Sequence, residues 1–446
     1  MQLTYSKTLD VSLTPDVLVC GAGVAGLGAA VAAARSGADT LLVERMGFAG
    51  GFFTAVIGSS FDGLVDPASG RPVVGGLVFE MLDRLGVLQG RDPLRTAFTY
   101  NGEISSVAEH PERIVPRTEP ERFKKAADDV LAASGVRVLY HTQVTDVITR
   151  GERIEAVLVS NKDGLVAIAP RVVVDCTGDA DVAAWAGAPY EVHPERQPMG
   201  LHFRLIDVDA PADLRLRERC TELFQRAQRA GRLANFGGPY PARFMPHDLY
   251  FNATRVPGDP TSAADWTNAE VQGRRDAWAM FELLRSELPE FAGAYFIASG
   301  PTAGARESRR IAGQATLTVE DVRAGRRQPD VVVVAAGKID RHGNAPSTPH
   351  EELVVPPYDI AYRTLLPRGV ENLLVAGRCH SATSEALASS RLTAPAMGMG
   401  QAAGTAAALA AAGGGVPATV DVGALQDALR RQGAILELPR PAPVAG

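Results

Sequence analysis

The chain has 446 residues, more than one ordinary core organises, so two domains or one domain with a large insertion is expected. Hydrophobic content of 46% and charged content of 22% are those of a soluble globular protein. A net charge of −6 without a long basic run argues against nucleic acid or an anionic membrane surface as a partner.

The first fifteen residues lack a charged start followed by an apolar core, so no secretory signal is read. Residues 16–20 are a short apolar run that fits a buried parallel strand. A glycine loop follows, then a helix rich in small residues ending at Gly37, then the strand "TLLVER". Strand, glycine loop, helix, strand and acid make one βαβ unit. Beyond Gly50 and Gly51 the pattern is irregular to about residue 116, with one amphipathic helix in "GGLVFEMLDRLGV" and another at 120–133. "VRVLY", "QVTDVITR", "RIEAVLVS" and "LVAIAP" read as successive strands, with turns at Gly151 and Gly164. "RVVVDCTGDADVAAWAGA" reads as strand, loop and helix.

From about 190 to 327 the chain carries longer polar helices, at 214–230 and 263–288, with the Gly/Pro-rich "NFGGPYPARFMP" between them. This region is expected to be a substrate-side insertion. "AAGKIDRHGNAPSTPHEELVVPPYD" is turn-rich and expected to loop back. "VENLLVAGRCHS" returns to strand and glycine turn, an Ala/Gly helix follows, and the final "LPRPAPVAG" is expected to fray. Residues 394–415 are long enough to span a bilayer, and Gly400 and Gly404 form a G-x-x-x-G. Their Ala/Gly content, with Gln401 and Thr405 inside, gives little apolar drive, so a buried helix of a soluble protein is expected. Cys20, Cys176, Cys220 and Cys379 lie far apart with no C-x-x-C, which speaks against zinc or a redox-active pair and for a reduced, cytoplasmic protein. No metal site is expected. The domain boundaries this reading implies are 1–55, 115–190 and 350–446 for a discontinuous nucleotide-binding domain, and 56–114 and 191–349 for a substrate or cap domain.

The loop Gly21-x-Gly23-x-x-Gly26 suits a dinucleotide pyrophosphate at a helix N-terminus, where unpaired N–H groups and the helix dipole meet the phosphates. Glu44, about twenty residues on, can accept bonds from ribose hydroxyls and disfavours a 2′-phosphate, so NADP is unfavoured. NAD and FAD both remain. A plain NAD dehydrogenase would add a second mononucleotide unit directly, whereas this chain makes a β-rich excursion and returns twice, through "VVDCTGDADVA" and "NLLVAGRCHSATSEALASSRLTAPAMGMGQ".

Three segments carry a resemblance: "TGD-x-D-VA" at 177–183, "RESRRI-x-G" at 306–313 and "NLLVAGR-x-x-SAT-x-EAL-x-S-x-R" at 372–391. In order and spacing they resemble FAD-dependent oxidoreductases of the two-dinucleotide-binding-domain flavoprotein group. The resemblance implies an α/β fold, with a Rossmann-like FAD-binding domain of parallel sheet and β-meander plus an inserted α+β substrate domain. It implies non-covalent FAD, with Gly21, Gly23, Ala25 and Gly26 at the pyrophosphate and Glu44 at the adenosine ribose. Arg45, Gly50 and Gly51 would flank the nucleotide, and Val144 would hold adenine through its backbone. Thr177 and Gly178 would approach again, and Gly377 and Arg378 would follow the ribityl chain. The last helix, with Gly398 and Gly400 in its first turns, would place its N-terminus near the flavin N1/C2=O edge, where its dipole favours reduced flavin. Simple helix packing would also account for those glycines.

Flavin would carry the redox step, moving a hydride at N5. His380, just after the glycine turn, is the first candidate for acid–base or substrate contact; a histidine bonded to backbone is the competing reading. Arg391, before the last helix, could clamp a carboxylate, touch flavin O2 or make a helix-end ion pair. Arg306 shares its segment with Arg309 and Arg310, of which at least one is expected in a structural ion pair. His342 lies on an expected loop, where functional residues concentrate. His202 sits in a strand pattern and reads as core. The expected reaction is a dehydrogenase or oxidase step on a small polar metabolite, with C=C reduction second and a non-catalytic flavin-binding interaction protein third. The electron acceptor, O2 or a redox partner, and self-association are open.

Overall fold

The computed structural model describes residues 3, 6–100, 110–210, 214–344 and 350–438. Five short strands form an all-parallel sheet in the order Leu373–Val375, Val172–Asp175, Val17–Cys20, Thr40–Val43 and Arg137–Leu139. The inner strands are uninterrupted Val/Leu runs because both faces are covered. Helix Val24–Arg35 links the first two strands of the βαβ unit, and the terminal helix Thr393–Ala412 lies along it. Ala and Gly side chains let these two backbones come close. A Cβ added at Gly28, Gly400 or Gly404 would fall within 3.0 Å of backbone atoms of the facing helix. The Ala/Gly run is therefore an interior packing element, and no helix among the described residues is long and apolar enough to cross a membrane.

Gln143–Arg150, Arg153–Asn161 and Gly164–Ile168 form the antiparallel meander, to which Val11–Leu13 adds a parallel edge strand. "VRVLY" departs from expectation. Arg137–Leu139 joins the parallel sheet beside Thr40–Val43, and a left-handed His141 turns the chain before the meander starts. Periodicity could not separate these two destinations, since both are half-buried strands.

A second sheet is antiparallel: Phe236–Ala242, Asp248–Thr254, Phe203–Ile206 and Tyr295–Ser299. Helices Leu214–Arg229 and Ala263–Glu287 pack with it around a separate apolar cluster that includes Phe203, Phe224, Phe251, Leu284 and Phe291. "NFGGPYPARFMP" supplies the edge strand of this sheet, where its prolines forfeit no interior hydrogen bond.

The segment expected to be turn-rich is instead a long two-stranded ribbon, Val331–Arg341 with Glu351–Ala361. Gly337 and the Pro356-Pro357 pair read as turn signals. In the fold the register slips between Ala335 and Gly337, and the prolines sit in a strand whose other edge is unpaired. The first half of the ribbon, Val331 to Ala336, is buried in the same core as the terminal helix.

Candidate active site

The nucleotide cradle is built where the parallel strands end. Gly21 has φ +96° and lies so close to Cys176 that a Cβ there would sit 2.6 Å from the Cys176 carbonyl oxygen. The first helix starts at Gly23 with no side-chain cap, and a Cβ on Gly23 would meet nothing within 4 Å. The loop thus offers free N–H groups on an open side, which is what a pyrophosphate requires. Glu44 holds the loop in place: its carboxylate accepts from Ala22 N–H (2.7 Å) and Met46 N–H (2.8 Å). Gly50 N–H donates to Ala22 O, and a Cβ on Gly51 would lie 2.8 Å from Gly23 Cα, so the glycine pair abuts the cradle. The Arg45 guanidinium lies over the Trp266 ring at 5.6 Å. Val144 is buried in the meander opposite Val159.

The two later chain returns meet the same place. Cys176 N–H donates to Cys20 O and Ala376 N–H to Asp175 O, while Gly377 approaches Ala25. Thr177 donates through both N–H and hydroxyl to Asp175 Oδ1, and Ala183 N–H donates to Oδ2. Burial nonetheless pushes the Asp175 carboxyl up to about 6. Arg378 pairs with Asp179 at 3.2 Å beside Gly178, and its second terminal nitrogen is buried without a partner. The open Gly23, the uncapped helix and this orphaned guanidinium nitrogen together fit a bound dinucleotide. Gly398 packs on Val333 and Val74, and Gly400 on Ala25 of the first helix.

The His380 ring is fully buried: Nδ1 bonds Gly377 O (2.9 Å) and Nε2 the Ser390 hydroxyl (3.1 Å). With both nitrogens engaged, its geometry is that of the competing reading, a histidine bonded to backbone. Burial pushes its pKa down to about 4, against 6.5 when unfolded. The folded chain therefore binds fewer protons than the unfolded one between those values. Stability from this group is complete above about pH 6.5 and is lost as pH falls toward 4. Urea unfolding should show the gap between the wild type and His380→Gln narrowing by about 2.5 kcal/mol from pH 7 to pH 4.5. A gap that does not change with pH would mean a histidine that titrates normally.

The other three candidates, Arg306, His342 and Arg391, belong to one buried polar network at the end of the ribbon. Arg306 donates to Pro198 O (2.6 Å) and Asn252 Oδ1 (3.3 Å). Arg255 donates to the same Asn252 oxygen (2.9 Å) and to His342 Nδ1 (3.4 Å). Arg391 donates to Asp340 O (2.8 Å) and Oδ2 (3.2 Å). His342 Nε2 lies 3.2 Å from Asp340 Oδ2, and its backbone N–H donates to Gln197 Oε1. Burial, then the neighbouring Arg255 and Arg391, push Arg306 down from the usual arginine range, and burial pushes His342 down. Burial alone would raise Asp340, but His342, His350 and Arg391 hold it well below the ordinary carboxylate range.

A pocket opens beside this network. Tyr240, Tyr250, Asn252, Asp340, His342 and Leu392 line it, with Phe52, Ser59, Asp62, Arg117, Arg217, Lys338 and Glu352. Leu392 is the N-cap of the terminal helix, which has no side-chain cap, so its positive end adjoins the pocket. Tyr250 donates to or accepts from His202 Nδ1 at 2.7 Å, which keeps His202 in the interior. Sequence reasoning missed Asp340, Tyr240, His350 and Arg255. The i, i+2 spacing of Asp340 and His342 at a strand end was a usable signal, since it puts both on one face. Nothing local marks Arg255.

Asp340, His342 and His350 offer three ligand atoms within 4.8 Å of one another. A cation is nevertheless poorly served there. Arg391 donates to the same carboxylate, and Arg255 donates to His342 Nδ1, which leaves the ring proton on Nε2 rather than a lone pair.

A five-stranded parallel sheet with an open glycine cradle at the ends of its strands defines a dinucleotide-binding protein. A family model described as FAD dependent oxidoreductase matches residues 16–429, and the chain belongs to that family. It is an FAD-dependent enzyme. Comparison with curated proteins finds no match. Among solved structures the chain is similar to a geranylgeranyl bacteriochlorophyll reductase-like protein from Thermoplasma acidophilum, at 14% identity and TM-score 0.47, over 94% of this chain and 84% of that one. It is also similar to the flavin-dependent brominase Bmp2, at 14% identity and TM-score 0.47, over 94% and 83%. The aromatic hydroxylase CabE aligns at 15% identity and TM-score 0.46, with 94% of this chain covering 65% of that one.

Proposed function

We propose that the enzyme oxidises a small anionic metabolite at a C–O or C–N bond in the pocket lined by Tyr240, Asp340 and His342. Gly21, Gly23, Gly26, Glu44, Thr177, Gly178 and Arg378 would hold FAD, which when bound supplies the hydride acceptor. The observation that carries the reading is the charge around the pocket. Arg217 reaches its wall, lies over the Tyr240 ring at 4.5 Å and makes no ion pair among the described residues. Arg117 and Lys338 line the pocket with it, and behind the wall stand Arg255, Arg306 and Arg391, against the acids Asp62, Asp340 and Glu352. An excess of buried positive charge beside an uncapped helix N-terminus favours an anionic substrate group.

The test is anaerobic: the yellow holoenzyme is screened against small hydroxy and amino acids for loss of absorbance near ~450 nm, the flavin band. Bleaching by such a compound supports the reading, and the speed of recolouring in air separates an oxidase from a dehydrogenase. If none bleaches and an unsaturated acid instead recolours photoreduced enzyme, the reaction is C=C reduction and the reading fails. With the bleaching compound, Arg217→Leu should raise KM roughly tenfold, about 1.4 kcal/mol, at nearly unchanged kcat. An unaltered KM would remove Arg217 from substrate binding.

A further inference from the structure

We propose that Tyr240, His350 and Asp340 form a proton relay that accepts the heteroatom proton of the bound substrate. The substrate O–H or N–H bond breaks as its proton goes to Tyr240 Oη, and the Tyr240 proton goes to His350 Nδ1. The resulting imidazolium faces Asp340. The inference rests on the oxidation proposed for this pocket, in which the departing hydride is the flavin's share.

Hydrogen-bond direction carries it. Arginine can only donate, so Arg255 makes His342 Nδ1 an acceptor, and His342 Nε2–H then donates to Asp340 Oδ2 (3.2 Å). Arg391 donates to the same oxygen. Both of these donors meet Oδ2, and with Arg391 beside it the Asp340 carboxyl is held well below the ordinary carboxylate range, so Oδ1 carries no proton and the 2.8 Å bond to it is donated by His350 Nε2–H. A neutral His350 with its proton on Nε2 has a lone pair on Nδ1. Tyr240 Oη, 2.8 Å away, must donate to it. The chain of bonds runs one way, from Tyr240 through His350 to the Asp340 carboxylate, whose other oxygen is taken by His342 and Arg391.

The components sit where a relay needs them. Tyr240 lines the pocket, and His350 bonds Tyr240 Oη without lining the pocket itself. Asp340 is fixed from three sides, which sets the His350 tautomer and would stabilise its charged form, as the carboxylate does in a Ser-His-Asp triad. His350 stacks on His342 with ring centroids 4.3 Å apart, which holds the plane of the ring. The side chain of His350 is 25% exposed, enough to pass its proton on to water. The charged groups around the relay are Glu352, 3.6 Å from His350 Nε2 and itself bonded to Lys338; Arg217 over the Tyr240 ring; Arg391, 3.2 Å from Asp340 Oδ2; and Arg255 beyond His342. Tyr240 is the catalytic residue here; His350 acts through it.

Two measurements on the holoenzyme test this. In protein labelled with 15N-histidine, the His350 signals, assigned by their loss in His350→Gln, should show the neutral Nε2–H tautomer. Tyr240→Phe should shift Nδ1 while the flavin stays bound. A proton on Nδ1 would overturn the relay, because the ring would already donate to Tyr240. So would Zn2+ moving the Nε2 signals of His342 and His350 together, because a metal would replace both protons. With the compound that bleaches the flavin, Tyr240→Phe should lower kcat at least a hundredfold with KM within about twofold. His350→Gln should likewise lower kcat with KM little changed, because the Tyr240 proton loses its acceptor. A Tyr240→Phe enzyme at full kcat overturns the relay and leaves the oxidation standing. A screen in which nothing bleaches sinks the oxidation, and the tautomer still decides the relay.

Discussion

Gly400→Ala and Gly404→Ala should each destabilise the holoenzyme by about 3 kcal/mol or more, although both put a better helix former inside a helix. Helix propensity alone predicts a gain of about 1 kcal/mol from each change. Packing predicts the reverse sign. The new methyl groups would fall less than 3.0 Å from the carbonyl oxygens of Ala25 and Ala29, a separation real Cβ atoms do not show. Those oxygens belong to a helix backbone buried under the parallel sheet and cannot step aside like a flexible side chain. The helices must separate along their whole seam, and overpacking of that kind costs about 1–3 kcal/mol or more. Ala25 lies in the first turn after the glycine cradle, so the displacement also reaches the FAD site. Urea unfolding, followed by circular dichroism and by flavin release, should show an earlier midpoint and weaker cofactor retention. A raised midpoint would mean that propensity outweighs contact, and that the helices are less tightly joined than their backbones indicate.

The nucleotide half was legible in the sequence because its constraints are local. A four-residue apolar strand, glycines at fixed offsets and an acid at the next strand end are all dictated by short-range geometry; that Glu44 would also bond Ala22 N–H in the cradle itself was not read from the spacing. The polar pocket was less legible because it is assembled from distant segments. Tyr240 comes from an edge strand hidden in a Gly/Pro-rich stretch, Asp340 and His342 from a ribbon masked by Gly337 and two prolines, and Arg255 from the end of another strand. His380 was hard to orient for a complementary reason. Its position after the glycine turn is real, but chain proximity to a cofactor loop says nothing about which way a ring points, and this one turns inward to Ser390. The "RESRRI" segment shows the same limit, since its charges read alike and do three different things: Arg306 joins the pocket network, Arg309 pairs with Asp181 at 2.8 Å, and Arg310 pairs with Glu307.

That last pair supports the other large effect. Glu307→Ala should cost about 3–5 kcal/mol, because breaking a buried ion pair by removing one partner leaves an uncompensated charge. Glu307 is fully buried and Arg310 almost so, with 2.6 Å between them. The remaining acid near Arg310 is Glu191, 3.9 Å away and largely exposed, which offers little in water. Glu307→Gln keeps an oxygen for the guanidinium and should lose less. The double variant Glu307→Met/Arg310→Met removes both charges and fills their space, so it should recover most of the loss, as apolar replacements of buried pairs do. Chemical unfolding of the three variants at one pH measures the series. A double variant as unstable as Glu307→Ala would show that the segment is held by something other than its paired charges.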